Sequence, residues 1–243
     1  MICKAVIFDY IGTLVNCRNY SMDASKLNLY NALVAEGFDI TENKFMAAYG
    51  LAHEKHHKVR YEQLKEVTNS IWVAETLCNL RFEVTADDPR IKAALNVFFQ
   101  DFIDTLELRE SAKKLIKQAQ QRGKVALISN FTYAPVIYKS LRKVGINEFF
   151  NAVLVSEEVG WRKPSGTIFQ DALNRLQVKA SEAVYIGDSP NEDIKGAKLA
   201  GLKTVFVPSQ FNTLKDLKES KQAPDYLANN LMSISQNLNK IFS

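Results

Sequence analysis

A chain of 243 residues with 47% hydrophobic and 24% charged residues can bury a substantial core, as one domain with a large insertion or as two small ones. Its net charge of +4, from 31 Lys and Arg against 27 Asp and Glu with both signs interspersed, is too small an excess to point to nucleic acid. Three cysteines, Cys3, Cys17 and Cys78, lack metal-type spacing, which argues for packing roles in a reducing compartment and against a disulfide framework.

The first element is "KAVIF", a short run apolar on both faces that predicts a buried strand ending at Asp9. The N-terminus is apolar for too few residues to be a signal peptide or a spanning helix, so a cytoplasmic protein with no membrane association is expected. From about residue 17 to 100 the texture changes. "SKLNLYNALVAEGF", "ENKFMAAYGLAHEKHHKVRYEQLKEV" and "SIWVAETLCNL" show helical spacing, with Gly37 placed to end the first and Thr41 to cap the second. Residues 16–100 are therefore expected to form an all-helical cap, inserted into an α/β core of residues 1–15 and 101–243.

Inside this helical stretch, "HEKHH" at residues 53–57 matches the zinc-protease pattern H-E-x-x-H. All three histidines of the chain fall here, so a third ligand would have to be His56, which helical spacing aims elsewhere, or a carboxylate such as Glu75. The simpler reading is a basic helix face of His53, Lys55, His56, His57, Lys58 and Arg60, solvated or turned toward an anionic substrate. Tyr30, Phe38, Phe45, Tyr49, Tyr61 and Trp72 read as cap core, and Trp161 as a loop residue against the cap or the pocket edge.

From Lys124 onward, "KVALIS", "AVLVS", "AVYIG" and "KTVFV" alternate with amphipathic segments, the pattern of a doubly wound parallel sheet. In such sheets ligands bind beyond the carboxyl ends of the strands. Those ends deliver Asp9, then Ser129 and Asn130, then Ser156 with Lys163 a loop later, then Gly187 and Asp188. Each alone is an ordinary turn or cap residue. Together they place two carboxylates, a hydroxyl and an ammonium on one edge, and Asp9 and Asp188 would repel each other without a cation such as Mg²⁺ between them. "GDSPNEDIKGA" adds Asp193 in the first turn of a helix, where it would orient Lys163 or a metal-bound water. A carboxylate of this kind can act as nucleophile, while lysine, metal and hydroxyl steady a phosphoryl group.

With "FDYIGTL", "ISN", "GWRKP" and "GDSPNED" in this order, the sequence resembles the haloacid dehalogenase superfamily, a hydrolase group dominated by phosphatases. The resemblance implies a Rossmann-like core with a helical cap inserted after the first motif. It implies Asp9 as nucleophile, Lys163 as the lysine that steadies nucleophile and phosphate, and Ser129 as the phosphate-binding hydroxyl, with Tyr10 and Asn130 as further substrate-binding residues. It also implies a Mg²⁺ site formed by Asp9, the backbone carbonyl of Ile11, Asp188 and Asp193, with Gly12 and Thr13 in the turn after the first strand. The implied partner is a small anionic, phosphorylated substrate, handled by a monomer or homodimer.

Ile11 departs from the pattern, because phosphatases of the family usually carry there the Asp that protonates the leaving group. Such general acid-base assistance contributes about 10² to 10⁴ in rate. Three readings follow. The first is a phosphohydrolase acting on good leaving groups, such as acyl or aryl phosphates. The second is other hydrolysis, either of the 2-haloacid dehalogenase type, which needs no such acid, or of a phosphonate through a Schiff base on Lys55. The third is a catalytically silent phosphate-binding or regulatory module. "ISN" suits the dehalogenase pattern, whereas Asp188 stands where dehalogenases carry serine.

Overall fold

In the computed structural model, which describes residues 3–241, strand β1 (Ala5–Phe8) is buried along its whole length. A run apolar on both faces is stable only with a layer on each side. The chain then makes a tight turn into β2 (Val15–Cys17), which pairs antiparallel with β3 (Leu106–Leu108). Between these two short strands lie α1 (Met22–Ala35), α2 (Glu42–Glu62), α3 (Asn69–Asn79), α4 (Pro89–Phe98) and α5 (Gln100–Thr105). The helical segment thus leaves and returns through a two-stranded ribbon, and helix continues to Thr105 because α5 buries Phe102 and Ile103.

Local chemistry sets these helices. Ser21 caps α1 by accepting from the Ala24 N–H, and Gly37 follows its end with a φ of +91°, as its position in the sequence suggests. Thr41 sits at the start of α2 without a side-chain capping bond. Asp88 caps α4, with Pro89 in its first turn.

The rest of the chain adds α6 (Ala112–Gln120), β4 (Lys124–Ser129), α7 (Ala134–Lys143), β5 (Ala152–Val155), α8 (Ser156–Val159), α9 (Gly166–Leu176), β6 (Ala183–Gly187), α10 (Lys195–Leu199) and β7 (Lys203–Phe206), with β8 (Tyr226–Leu227) at the edge. The strands form one parallel sheet in the order β5-β4-β1-β6-β7-β8. Phe8 pairs with Leu127 on one side and Ile186 on the other, so the residues after β1, β4 and β6 emerge at one edge.

One face of the sheet packs Ile7, Ile128 and Tyr185 against Ile168, Phe169 and Ala172 of α9. The other face, with Val6, Phe8 and Leu127, belongs to a core that runs without a break into Leu29, Phe45 and Trp72 of the helical segment. Lys143 on α7 fastens the two, its ammonium donating to the carbonyls of Ile103 at 2.8 Å and Asp104 at 2.6 Å. The three cysteines are free; Cys17 is buried and Cys3 partly buried, but Cys78 is exposed, so the packing expectation fails for it. Among the described residues no helix is long and apolar enough to cross a membrane.

Candidate active site

Asp9 is set by β1, and its N–H donates to the Ile186 carbonyl of the neighbouring strand at 2.9 Å. Asp188 follows β6 directly. Asp193 lies in the tight turn Pro190–Ile194, where the Ser189 N–H donates to its Oδ2 at 2.8 Å. Two glycines make room for these acids. A Cβ on Gly12, whose φ is +96°, would lie 2.5 Å from Asp188 Oδ2, and one on Gly187 would lie 2.5 Å from Asp193 Cγ. The three carboxylates converge, with one oxygen of each within 4.8 Å of the others.

Lys163 enters from the loop between α8 and α9 and is 2% exposed. Its ammonium donates to Asp9 Oδ1 and Asp193 Oδ1, both at 2.7 Å, and to the Tyr185 hydroxyl at 3.0 Å. Tyr185 in turn donates to Asp193 Oδ1 at 2.9 Å. Burial works to lower the Lys163 pKa, but the attraction of Asp193 and Asp9 wins and raises it, so the lysine stays charged. Burial pushes Asp9 well up; Lys163 opposes this, while Asp193 and Asp188 add repulsion. Burial likewise raises Asp188, with Asp193 adding to the shift and hydrogen bonds opposing it from Ser209 at 2.5 Å and Asn212 at 3.0 Å. Thr13 also donates to Asp188, at 3.2 Å.

Three acids thus converge where one ammonium contacts two of them, Asp9 and Asp193, and Asp9 Oδ2 is buried without a hydrogen-bond partner. An orphaned carboxylate oxygen amid surplus negative charge is costly in the bare protein and suits a hard divalent cation. The chain fits such an ion through Asp9, Asp188 and Asp193.

The other expected residues divide. Ser129 ends β4 at the same edge and is 2% exposed. Asn130 is occupied in the framework: its amide donates to the Lys163 carbonyl at 3.0 Å and to Glu192 at 2.9 Å, and its Oδ1 accepts from the Lys163 N–H at 2.7 Å. It therefore clamps the Lys163 backbone while also lining the neighbouring cavity. The substrate-binding expectation for Tyr10 is corrected for its side chain, which is fully buried and donates to Ser140 at 2.9 Å, leaving only backbone to face a ligand. Ser156 points away from the acids and ties loops together, donating to Glu66 at 2.5 Å and accepting from the Phe131 N–H at 2.9 Å. Ile11 packs half-buried on the main core and brings no proton donor.

Tyr185, Ser209, Asn212 and Glu192 escaped sequence reasoning. Tyr185 hides inside an apolar run. Ser209 and Asn212 follow β7, so applying the strand-end rule to "KTVFV" as well would have found them.

A cavity of about 680 Å³ lies where the helical segment meets the core. Tyr49, Trp72, Phe98, Phe99, Phe102 and Phe131 wall it, with His53, Arg60 and Asn130 among its polar residues. Tyr49 and Trp72, expected only as core, thus serve both roles. The histidines do not gather. His53 lies edge-to-face with Trp72, His56 pairs with Glu75 at 2.7 Å, and His57 stacks on Tyr61 at 4.2 Å. Among the described residues the group of potential metal ligands is the Asp9, Asp188 and Asp193 cluster. Lys55 is tied to Glu75 at 2.9 Å and lies outside the cavity wall, which does not favour a Schiff-base role.

The helical segment is pinned to the lysine loop. Trp161 pairs with Lys65 along the backbone, and the Arg162 guanidinium lies 4.1 Å over the Tyr61 ring while bonding Glu192 at 2.8 Å.

The haloacid dehalogenase-like hydrolase pattern matches residues 3–201. A glyceraldehyde 3-phosphate phosphatase of Methanopyrus kandleri is 32% identical over 214 residues, which is 84% of this chain and 83% of that protein. A ribulose-1,5-bisphosphate 5-phosphatase of Halopiger xanaduensis is 35% identical over 133 residues, covering 53% and 55% of the two chains. Among solved structures, a 2-haloacid dehalogenase from Pseudomonas syringae superposes with a TM-score of 0.69 at 20% identity, over 99% and 98% of the chains. The magnesium-bound HAD-hydrolase YfnB from Bacillus subtilis superposes with a TM-score of 0.59 at 22% identity, over 98% and 100%. The ordered motifs, the doubly wound sheet and the acid-lysine centre agree with these matches: the chain belongs to the haloacid dehalogenase-like hydrolases.

Proposed function

We propose that the protein is a Mg²⁺-dependent phosphohydrolase that works through an aspartyl-phosphate on Asp9 and acts on a small phosphorylated substrate. The observation that carries this reading is Asp9 itself. One of its oxygens is held by Lys163 at 2.7 Å, and the other is buried, unpartnered and beside two further acids. One oxygen of the Asp9 carboxylate attacks phosphorus, and the bond to the leaving group breaks. Lys163 keeps the Asp9 carboxylate oriented and offsets charge on the phosphoryl oxygens, while Ser129 and the backbone after Asp9 take the remaining ones. A bound Mg²⁺, held by Asp9, Asp188 and Asp193 with the Ile11 carbonyl, would neutralise charge on the phosphoryl group. Water then releases phosphate and restores Asp9.

Phosphatase chemistry is favoured by the relatives from Methanopyrus kandleri and Halopiger xanaduensis, whose names are phosphatase names. Asp188 favours it too, as a third buried carboxylate with no evident use in metal-free halide displacement. Ile11 favours the dehalogenase reading, since halide departs without a proton.

The test is release of phosphate from an aryl phosphate and acetyl phosphate, and of chloride from 2-chloropropionate, with and without EDTA. Phosphate release that EDTA and Asp9→Asn both abolish is the expected result. Chloride release that survives EDTA would overturn the reading in favour of dehalogenation. Aspartyl-phosphate that forms and never turns over would make the protein a silent module.

A further inference from the structure

The cavity beside the acid-lysine centre is larger than a three-carbon phosphate ester fills, and its size lies within the range of sites that enclose drug-sized ligands. Residues Asn130, Phe131 and Thr132, which follow Ser129, form part of its wall. Asn130 is also the residue that clamps the Lys163 backbone. A ligand in the cavity therefore borders the phosphate-handling edge of the sheet.

The second, independent observation is the missing acid at Ile11. The cavity does not replace it: His53 is its imidazole, and burial, aided by the nearby Arg60 charge, lowers the His53 pKa, so it is neutral at pH 7. The carboxylates on its lining, Asp23 and Glu42, are solvent-exposed residues in the first turns of α1 and α2. Lys26 on the same lining is engaged by Asp23 at 3.2 Å, and burial raises the Tyr20 and Tyr49 hydroxyls, which makes them weaker acids. A centre that lacks the usual acid at Ile11 favours a leaving group that departs as a stable anion, and a ring-walled cavity favours something apolar and flat.

We infer that the cavity receives an aromatic leaving group, which makes aryl phosphates the preferred substrate class. This rests on the phosphohydrolase reading and sharpens it. One oxygen of the Asp9 carboxylate forms the new bond to phosphorus, the P–O(aryl) bond breaks, and its electron pair leaves on the phenolate oxygen. Water then attacks the aspartyl-phosphate, giving the Asp9 carboxylate, hydrogen phosphate and one proton, which the phenolate takes up through solvent. A phenol ionises near pH 10 and an alkyl alcohol only far above that, so a phenolate leaves unassisted where an alkoxide does not.

The experiment uses the full chain with Mg²⁺ and three compounds: 1-naphthyl phosphate, with ring and good leaving group; acetyl phosphate, with good leaving group alone; and glycerol 3-phosphate, with neither. The expected kcat/KM order is naphthyl, then acetyl, then glycerol, the first step being at least about tenfold, as burial of one ring system provides. Gly50 lines the cavity, and a Cβ there meets nothing within 4 Å, so Gly50→Phe fills the space from helix α2; Met46→Trp fills it from a second position. Either folded variant should lower the naphthyl-to-acetyl ratio of kcat/KM tenfold or more. An unchanged ratio, or a wild-type preference for acetyl phosphate, overturns the inference and leaves the phosphohydrolase reading intact. If none of the three is turned over, the phosphohydrolase reading falls. Saturable quenching of tryptophan fluorescence by 1-naphthol, weakened tenfold in Gly50→Phe, would then still support an aromatic site, and absent quenching would overturn it.

Discussion

The acid-lysine centre and the neighbouring cavity are built by opposite rules. In the centre, short polar side chains come from the ends of parallel strands and are locked to one another: Lys163 joins Asp9, Asp193 and Tyr185, and Asn130 fixes the Lys163 backbone. In the cavity, rings come from α2, α3, the α4–α5 junction and a single core loop, and their contacts are mainly edge-to-face and stacked ring pairs. A centre of the first kind fixes which atom is attacked, because moving one charged group disturbs all the others. A cavity of the second kind fixes what is attached to that atom, because apolar packing tolerates changes of shape that keep its volume. Substitutions in the centre should therefore change whether chemistry occurs, and substitutions in the cavity should change which substrate benefits.

The sharpest break of this contrast is Asp9→Asn. It removes the proposed nucleophile and leaves the cavity walls untouched, so turnover should fall by at least about 10⁴ on every phosphate compound. Steady-state phosphate release measures this. A loss confined to one substrate would show that the centre and the cavity share the chemistry.

Ile11→Asp should act in the opposite direction. It restores a carboxyl group at the leaving-group side of the centre, and kcat/KM on glycerol 3-phosphate should rise by about 10² to 10⁴. The gain on 1-naphthyl phosphate should be much smaller, because phenolate needs little protonation. Equal gains on both would mean that Ile11 limits a step common to the two, such as hydrolysis of the aspartyl-phosphate.

Lys163→Met tests the charge balance of the centre as stability. Without the ammonium, Asp9 and Asp193 remain buried with no cation in contact, and breaking a buried pair in this way costs about 3 to 5 kcal/mol. Urea unfolding of the metal-free protein should show a loss in that range, and added Mg²⁺ should restore part of it. A loss near zero would mean that the acids take up protons instead.

The same contrast explains what could be read from the sequence. Asp9, Ser129, Lys163 and Asp188 stand at the ends of apolar runs or one loop beyond, and a parallel sheet aligns such positions whatever the intervening helices do. Asp193 was legible because a tight turn keeps it near Asp188. Tyr10 misled, because adjacency to the nucleophile says nothing about which side of the strand a side chain takes, and here it turns into the core against Ser140. The cavity was not legible. Tyr49 and Trp72 have the helical spacing of core residues, and only the packing of α2 against α3, with Trp72 donating to the Tyr49 hydroxyl at 3.3 Å, turns their rings into a wall. The H-E-x-x-H match does not form a ligand cluster for the related reason that His53 and His57, on one face, pack against the rings of Trp72 and Tyr61.

The smallest effect lies at the seam between the two regions. Arg162 is 3% exposed, its Nη1 has no hydrogen-bond partner, and its guanidinium lies on the Tyr61 ring, so the ring face takes the place of an acceptor. Because Arg162 directly precedes Lys163 and is bonded to Glu192, this stack connects helix α2 to the loop that sets the Lys163 ammonium. Tyr61→Ala should cost about 0.5 to 2 kcal/mol in urea unfolding and lower kcat/KM a few-fold on all phosphate substrates alike, since it loosens the lysine loop without altering the cavity wall. Tyr61→Phe keeps the ring and should restore both quantities. If Tyr61→Phe lost as much as Tyr61→Ala, the hydroxyl rather than the ring face would hold Arg162, and the seam would be a hydrogen bond formed in solution. If Tyr61→Ala instead changed the naphthyl-to-acetyl ratio, the seam would belong to the cavity and not to the centre.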